Sequence, residues 1–168
     1  NEHAQSWDVV YDARGHFAEP HSGDVTPLGT IAVREYLESV ATHEVIDPEV
    51  DVADRKYPTR GPSNRFGAIL FIEKEGFMPL LGRVKLAQRY DLALMSTKGV
   101  SNVASRCLVD SLCGEHNVPL LVLHDFDVDG LKILETLRES TRRYEYTNSF
   151  QVIDLGLRLA DVKKWELE

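Results

Sequence analysis

Beyond Phe66, apolar and polar residues are grouped in regular blocks. Ala68-Ile69-Leu70-Phe71-Ile72 is a short, nearly unbroken apolar run, the pattern of a strand buried on both faces, and it stops abruptly at Glu73. Phe77 to Tyr90 follows with Pro79 near its start and Leu80, Leu81, Val84 and Ala87 at helical spacing, which predicts an amphipathic helix. A second strand is predicted over Leu92 to Met95. A helix from about Ser101 to Leu112, carrying Val103, Ala104, Cys107, Leu108 and Leu112, leads to a third buried strand, Val118 to Leu123. Leu131 to Arg142 again has helical spacing, Phe150 to Leu155 reads as a last strand, and a short helix starts near Ala160. Strands alternating with helices predict an α/β fold of Rossmann-like type. The expected sheet has about four strands, mainly parallel, with helices on both faces. Ligands of such sheets sit at the carboxyl ends of the strands.

The first 63 residues have a different texture. They hold Pro20, Pro27, Pro48, Pro58 and Pro62, an acidic run from Glu44 to Asp54, and the punctuation Gly61-Pro62-Ser63-Asn64. One short helix, roughly Thr30 to Ala41, is predicted from Ile31, Val33, Tyr36, Leu37 and Val40. The division expected from this contrast is an irregular, acidic, connector-like segment over 1–63 and a folded domain over 64–168.

Charge changes the picture only when it is located. The 168 residues carry a net charge of −8, which by itself argues against a phosphate-binding surface. Residues 1–63, however, contain 5 basic and 12 acidic groups, and residues 64–168 contain 14 and 15, so the acidity belongs to the first part and the remainder is balanced. With 43% hydrophobic and 27% charged residues the composition is globular, and no apolar run approaches the ~20 residues of a membrane span. The chain opens on Asn1 without a signal-like segment, which suggests a piece of a longer protein. Cys107 and Cys113, six apart in one predicted helix, face different ways; a disulfide is not expected, and a reducing, cytoplasmic setting is.

Carboxylates then gather where the predicted sheet would place a site. The first strand ends in Glu73-Lys74-Glu75-Gly76 and the third in His124-Asp125-Phe126-Asp127-Val128-Asp129-Gly130. Clustered carboxylates repel one another unless a cation or proton compensates, and a hard divalent ion such as Mg²⁺ takes oxygen ligands of this kind. The Asp-x-Asp-x-Asp-Gly string resembles the start of an EF-hand loop, but its twelfth position falls on Thr136 and a strand, not a helix, precedes it. A solvated turn in which Asp127 or Asp129 caps the following helix is the plainer alternative. His16 and His21 lie in a loop with no further nearby zinc ligands. His124 is expected to turn away from Asp125, into core packing or a supporting role behind the site. Glu75 is open to two readings, a general base or an exposed carboxylate at a helix start. No phosphate-loop or dinucleotide fingerprint is present.

Glu at the end of the first strand, a Gly after the second and Asp-x-Asp after the third resemble the Toprim domain of topoisomerases, primases and some nucleases. More closely, Ile72-Glu73-Lys74-Glu75, the turn Thr97-Lys98-Gly99, Val122 through Ile133, and the tail Leu155-Gly156-Leu157-Arg158 with Asp161 to Trp165 resemble the A subunit of DNA topoisomerase VI and its relatives that initiate meiotic breaks. Residues 66–168 carry the likeness. Asp129 departs from it and follows the three-Asp form of type IIA enzymes such as gyrase. The resemblance implies Mg²⁺ (with Mn²⁺ as substitute) held by Glu73, Asp125 and Asp127, with Asp129 as a further candidate, and Lys98 and Lys74 as DNA contacts. It also implies a tyrosine nucleophile from an upstream winged-helix domain, since none of Tyr11, Tyr36, Tyr57, Tyr90, Tyr144 or Tyr146 sits in the family's Arg-x-x-Tyr-Tyr setting. DNA as substrate, a homodimer, a nucleoid-associated location and an ATPase B-type subunit follow from the same likeness. Two alternatives stay open: a Toprim nuclease using metal-activated water, and a non-catalytic scaffold whose carboxylates cap helices.

Overall fold

The structure, a computed structural model, describes residues 10–42, 65–99 and 101–167. The acidic run over 44–54, the division at 63/64 and Tyr57 lie outside the described residues.

Six strands form one sheet in the order β2-β1-β4-β3-β5-β6. They are β1 (His16–Ala18), β2 (Val25–Pro27), β3 (Ala68–Ile72), β4 (Leu92–Ser96), β5 (Leu120–Leu123) and β6 (Val152–Asp154). The four strands β4-β3-β5-β6 run parallel, as the block pattern predicted. The other two come from the segment read as connector-like. β1 pairs antiparallel with β4, with Phe17 opposite Met95, and β2 pairs antiparallel with β1. The expected count of about four strands is therefore corrected to six. Three-residue strands are too short to show a period of two, and β2 carries a proline, which an edge strand tolerates because its N–H side needs no partner.

Alternation along β3 explains why the sheet is buried on both faces. Ile69 and Phe71 join Phe17, Ala93, Met95, Leu120 and Val122 in a large core closed by α1 (Thr30–Thr42), α4 (Val103–Val109) and α5 (Val128–Arg138). Ala68, Leu70 and Ile72 face the other way, with Leu92 and Leu94, under α2 (Met78–Arg83) and α3 (Leu86–Tyr90). The helix predicted over 77–90 is thus two helices. Lys85 between them adopts a left-handed backbone (φ 52°), which ends one helical run and re-aims the next. α4 continues into a wider π-helical turn, Asp110–Glu115, and α6 (Leu159–Lys164) closes the described chain. Among the described residues, no helix is long and apolar enough to cross a membrane.

Candidate functional site

The chain leaves β3 for β4 on one side and returns to β5 on the other, so the strand order reverses at β3 and β5. That reversal opens a crevice at their carboxyl ends, and Ile72 pairs with Leu123 in the last rung before it. Glu73 and His124 are the next residues on each strand. The Glu73 N–H donates to the Leu123 carbonyl (3.2 Å), which continues the ladder one step. The Asp125 N–H donates to Glu73 Oε2 (3.1 Å), so two of the predicted carboxylate residues are joined directly.

Asp127 is placed differently. Its extended backbone precedes α5, and its Oδ1 accepts the Gly130 N–H at 2.7 Å as the helix N-cap. Asp129 lies in the first turn of α5 with its side chain 74% exposed, paired to Lys132 at 3.3 Å, and is not drawn into the crevice by any contact. Among the described residues, no three His, Cys, Asp or Glu groups stand close enough together to hold an ion as they are.

A cation nevertheless occupies the convergence. The Lys74 ammonium donates to Asp125 Oδ2. Its pKa is raised above the ordinary lysine value, first by this bond and the Asp125 charge, then by Glu73 and Asp127. The Lys74 ammonium is thus paired with Asp125 and feels the charges of Glu73 and Asp127. The donor set is all oxygen, the chemistry that suits Mg²⁺ or Mn²⁺. Glu73, Asp125 and Asp127 therefore fit such an ion in charge and ligand type, with Asp127 turning from its cap and Lys74 yielding. Lys74 as a DNA contact would need the same release.

The neighbouring strand end carries a second linkage that the sequence did not announce. Glu75 Oε1 receives the His16 ring at 2.7 Å, and Glu75 Oε2 receives the Lys98 ammonium at 3.2 Å. Both bonds hold the Glu75 carboxyl below the ordinary range, that from His16 contributing most. β1 thus supplies a residue to the same edge, and only the pairing of β1 with β4 could have revealed it. Lys98 sits in the turn after β4, with positive φ, and its side chain is exposed. His21 bonds Asp91 at 2.7 Å, at the opposite end of the sheet, so His16, which lies on β1 and not in a loop, does not share a site with it.

A groove of about 380 Å³ runs from Glu73 and Asp125 along Phe77, Phe126, Leu155 and Trp165. Four of the described tyrosines lie elsewhere. Tyr36 and Tyr144 are pushed well above the ordinary phenol range by burial, and Tyr146 is raised by the same cause; Tyr90 precedes β4, at the far end of the sheet.

Comparison with known proteins gives this arrangement a lineage. The family model for the Toprim domain of Spo11 and of the topoisomerase 6 A subunit matches residues 68–168. The A3 subunit of DNA topoisomerase 6 from Oryza sativa subsp. indica is 28% identical over 103 residues, which are 59% of this chain and 23% of that protein. The A subunit of DNA topoisomerase 6 from Arabidopsis thaliana is 27% identical over 103 residues, 59% of this chain and 24% of that protein. The matched stretch spans about a quarter of these relatives. The family-model match begins at the first residue of β3 and takes in β3 to β6, the parallel part of the sheet with both carboxylate-bearing strand ends, and on that match the chain belongs to the Toprim-domain family of Spo11 and the topoisomerase 6 A subunit.

Proposed function

We propose that this chain is the metal-binding catalytic module of an enzyme that breaks and rejoins DNA strands in the manner of a topoisomerase 6 A subunit. The observation that carries the reading is the meeting of Glu73 and Asp125 at the switch point of a parallel sheet, with a cation drawn among the carboxylates. Glu73, Asp125 and Asp127 would hold the ion, with Asp129 as an outlying candidate. Bound there, Mg²⁺ would supply charge stabilisation to the in-line transition state and the 3′ leaving oxygen. Lys98, and Lys74 once released from Asp125, bind backbone phosphates. The attacking tyrosine comes from an upstream domain, in accord with the buried or distant positions of Tyr36, Tyr90, Tyr144 and Tyr146. A dimer and an ATPase B-type subunit complete the enzyme, and the work is done at the nucleoid.

Incubation with supercoiled plasmid and Mg²⁺ tests this. The 168-residue chain is expected to retard the plasmid more strongly with Mg²⁺ than with EDTA, to lose that increment in Glu73→Gln, and to leave neither nicks nor a covalent adduct. Mg²⁺-dependent nicking that Glu73→Gln removes would establish the nuclease alternative instead. A phosphotyrosyl adduct formed by the chain alone would contradict the upstream nucleophile.

A further inference from the structure

His124 is the residue on which the edge converges. Its side chain is 1% exposed. Nδ1 lies 2.7 Å from the Asp125 carbonyl oxygen, and Nε2 lies 3.2 Å from Asp154 Oδ1 at the end of β6. Carbonyl and carboxylate oxygens only accept, so the ring nitrogen that carries the proton donates, Nδ1–H to the Asp125 carbonyl or Nε2–H to Asp154. Asp154 Oδ1 is fixed in turn by the Gly156 N–H at 2.9 Å.

Two glycines make room for the ring. A Cβ on Gly156 would stand 2.5 Å from Nε2, and one on Gly130 would stand 2.9 Å from Nδ1 and 2.3 Å from the Asp125 carbonyl oxygen. Gly130 is also the residue whose N–H binds Asp127 Oδ1. The ring therefore touches the backbone of Asp125, the first turn of α5 that Asp127 caps, and the end of β6. A buried ring with a directional bond holds these segments more rigidly than an apolar side chain could, because rotation at its acceptor, the Asp125 carbonyl or Asp154, would leave a buried donor unpaired.

We infer that His124, braced by Asp154, is a positioning residue that sets Asp125 for divalent-cation binding. The inference rests on the proposed metal reading. His124 is not itself a ligand, since both ring nitrogens face oxygen atoms of the chain and the ring is sealed from solvent.

Titration calorimetry with Mn²⁺ on the 168-residue chain tests it, with each protein held below its own unfolding temperature. His124→Phe keeps a flat ring and removes both ring nitrogens, and is expected to weaken Mn²⁺ by about 10-fold or more, the scale of residues that orient metal ligands. Asp154→Ala should weaken it by a similar factor, with the double variant no worse than the weaker single. Asp154→Asn, which keeps an acceptor for the ring and for Gly156, should retain the wild-type affinity. If His124→Phe does not fold, the contrast between Asp154→Ala and Asp154→Asn decides alone. Wild-type affinity in both His124→Phe and Asp154→Ala, even with lowered melting temperatures, would make the ring merely structural and overturn the inference. A wild-type chain that binds no Mn²⁺ would overturn the metal reading itself.

Discussion

Gly15→Ala is expected to lower the stability of the fold by about 3 kcal/mol or more and the melting temperature by roughly 10 °C. Gly15 has φ +82° and leads directly into β1, whose first residue pairs with Ser96. A Cβ at Gly15 would fall 1.7 Å from the Ser96 carbonyl oxygen, 2.5 Å from the Ser96 carbonyl carbon and 2.6 Å from Thr97 Cα. All three are backbone atoms at the end of β4 and the residue after it, so no rotamer change relieves the overlap. Either β4 bends or β1 withdraws. Withdrawal uncovers the wholly buried Phe17 and Leu28 and breaks the Gly15–Leu28 backbone bond of 3.0 Å. It also removes His16 from Glu75 and so loosens Lys98 at the site edge. Thermal unfolding followed by circular dichroism measures the loss; a melting temperature within about 2 °C of wild type, about one kcal/mol at most for this size, would contradict the account of β1.

Asp110→Ala should cost about as much, roughly 3 kcal/mol, by removing the charged acceptor shared by four part-buried hydrogen bonds. Asp110 is buried in the turn after α4. Its Oδ2 accepts from the Tyr144 hydroxyl (3.0 Å), the Thr147 N–H (2.9 Å) and the Thr147 hydroxyl (2.9 Å), and its Oδ1 accepts from the Asn148 N–H (3.0 Å). Arg106, also buried, holds the same loop through the Glu139 carbonyl (2.8 Å) and lies 5.5 and 5.2 Å from the ring centres of Tyr144 and Tyr146. Together they fix the segment that leads into β6, and hence Asp154. Burial opposes ionisation of Asp110, but the bonds from Thr147, Asn148 and Tyr144 win and hold its carboxyl below the ordinary aspartate value. A carboxyl lowered on folding adds stability above its unfolded pKa of about 3.9 and loses it as pH falls through the folded value. The gap in stability between wild type and Asp110→Asn should therefore stay constant from neutral pH to about 5 and narrow below about 4. Chemical denaturation across that range reads it; a gap that widens on acidification would contradict the bonding described.

The parallel strands were legible because burial on both faces leaves a mark no other element makes at that length. Ala68–Ile72 matches its prediction residue for residue, and Leu92–Ser96 differs by one. β1 and β2 were not legible, since His16, Ala18 and Val25 alternate with nothing and their place is decided by the pairing of β1 with β4, far along the chain. The helix break at Lys85 was hidden for a local reason: Val84 continues the apolar spacing through it. At the site, Glu73 and Asp125 could be named because strand ends converge in such folds. Asp127 as the cap of the following helix was one of the readings its sequence offered, whereas the Lys74–Asp125 contact and the clasp of His124 between two glycines are through-space facts. The reading of His124 as core packing or support behind the site pointed toward that clasp, but Gly130 and Gly156 did not, since glycines after strand ends are common enough to pass for turns.

The central claim, that these strand ends hold a divalent cation, is tested most directly by calorimetric titration of Mg²⁺ and Mn²⁺ into the wild-type chain and Asp125→Ala. The account predicts saturable binding of both ions to the wild type and none to the variant. Absence of binding to the wild type, or equal binding to both proteins, would contradict it.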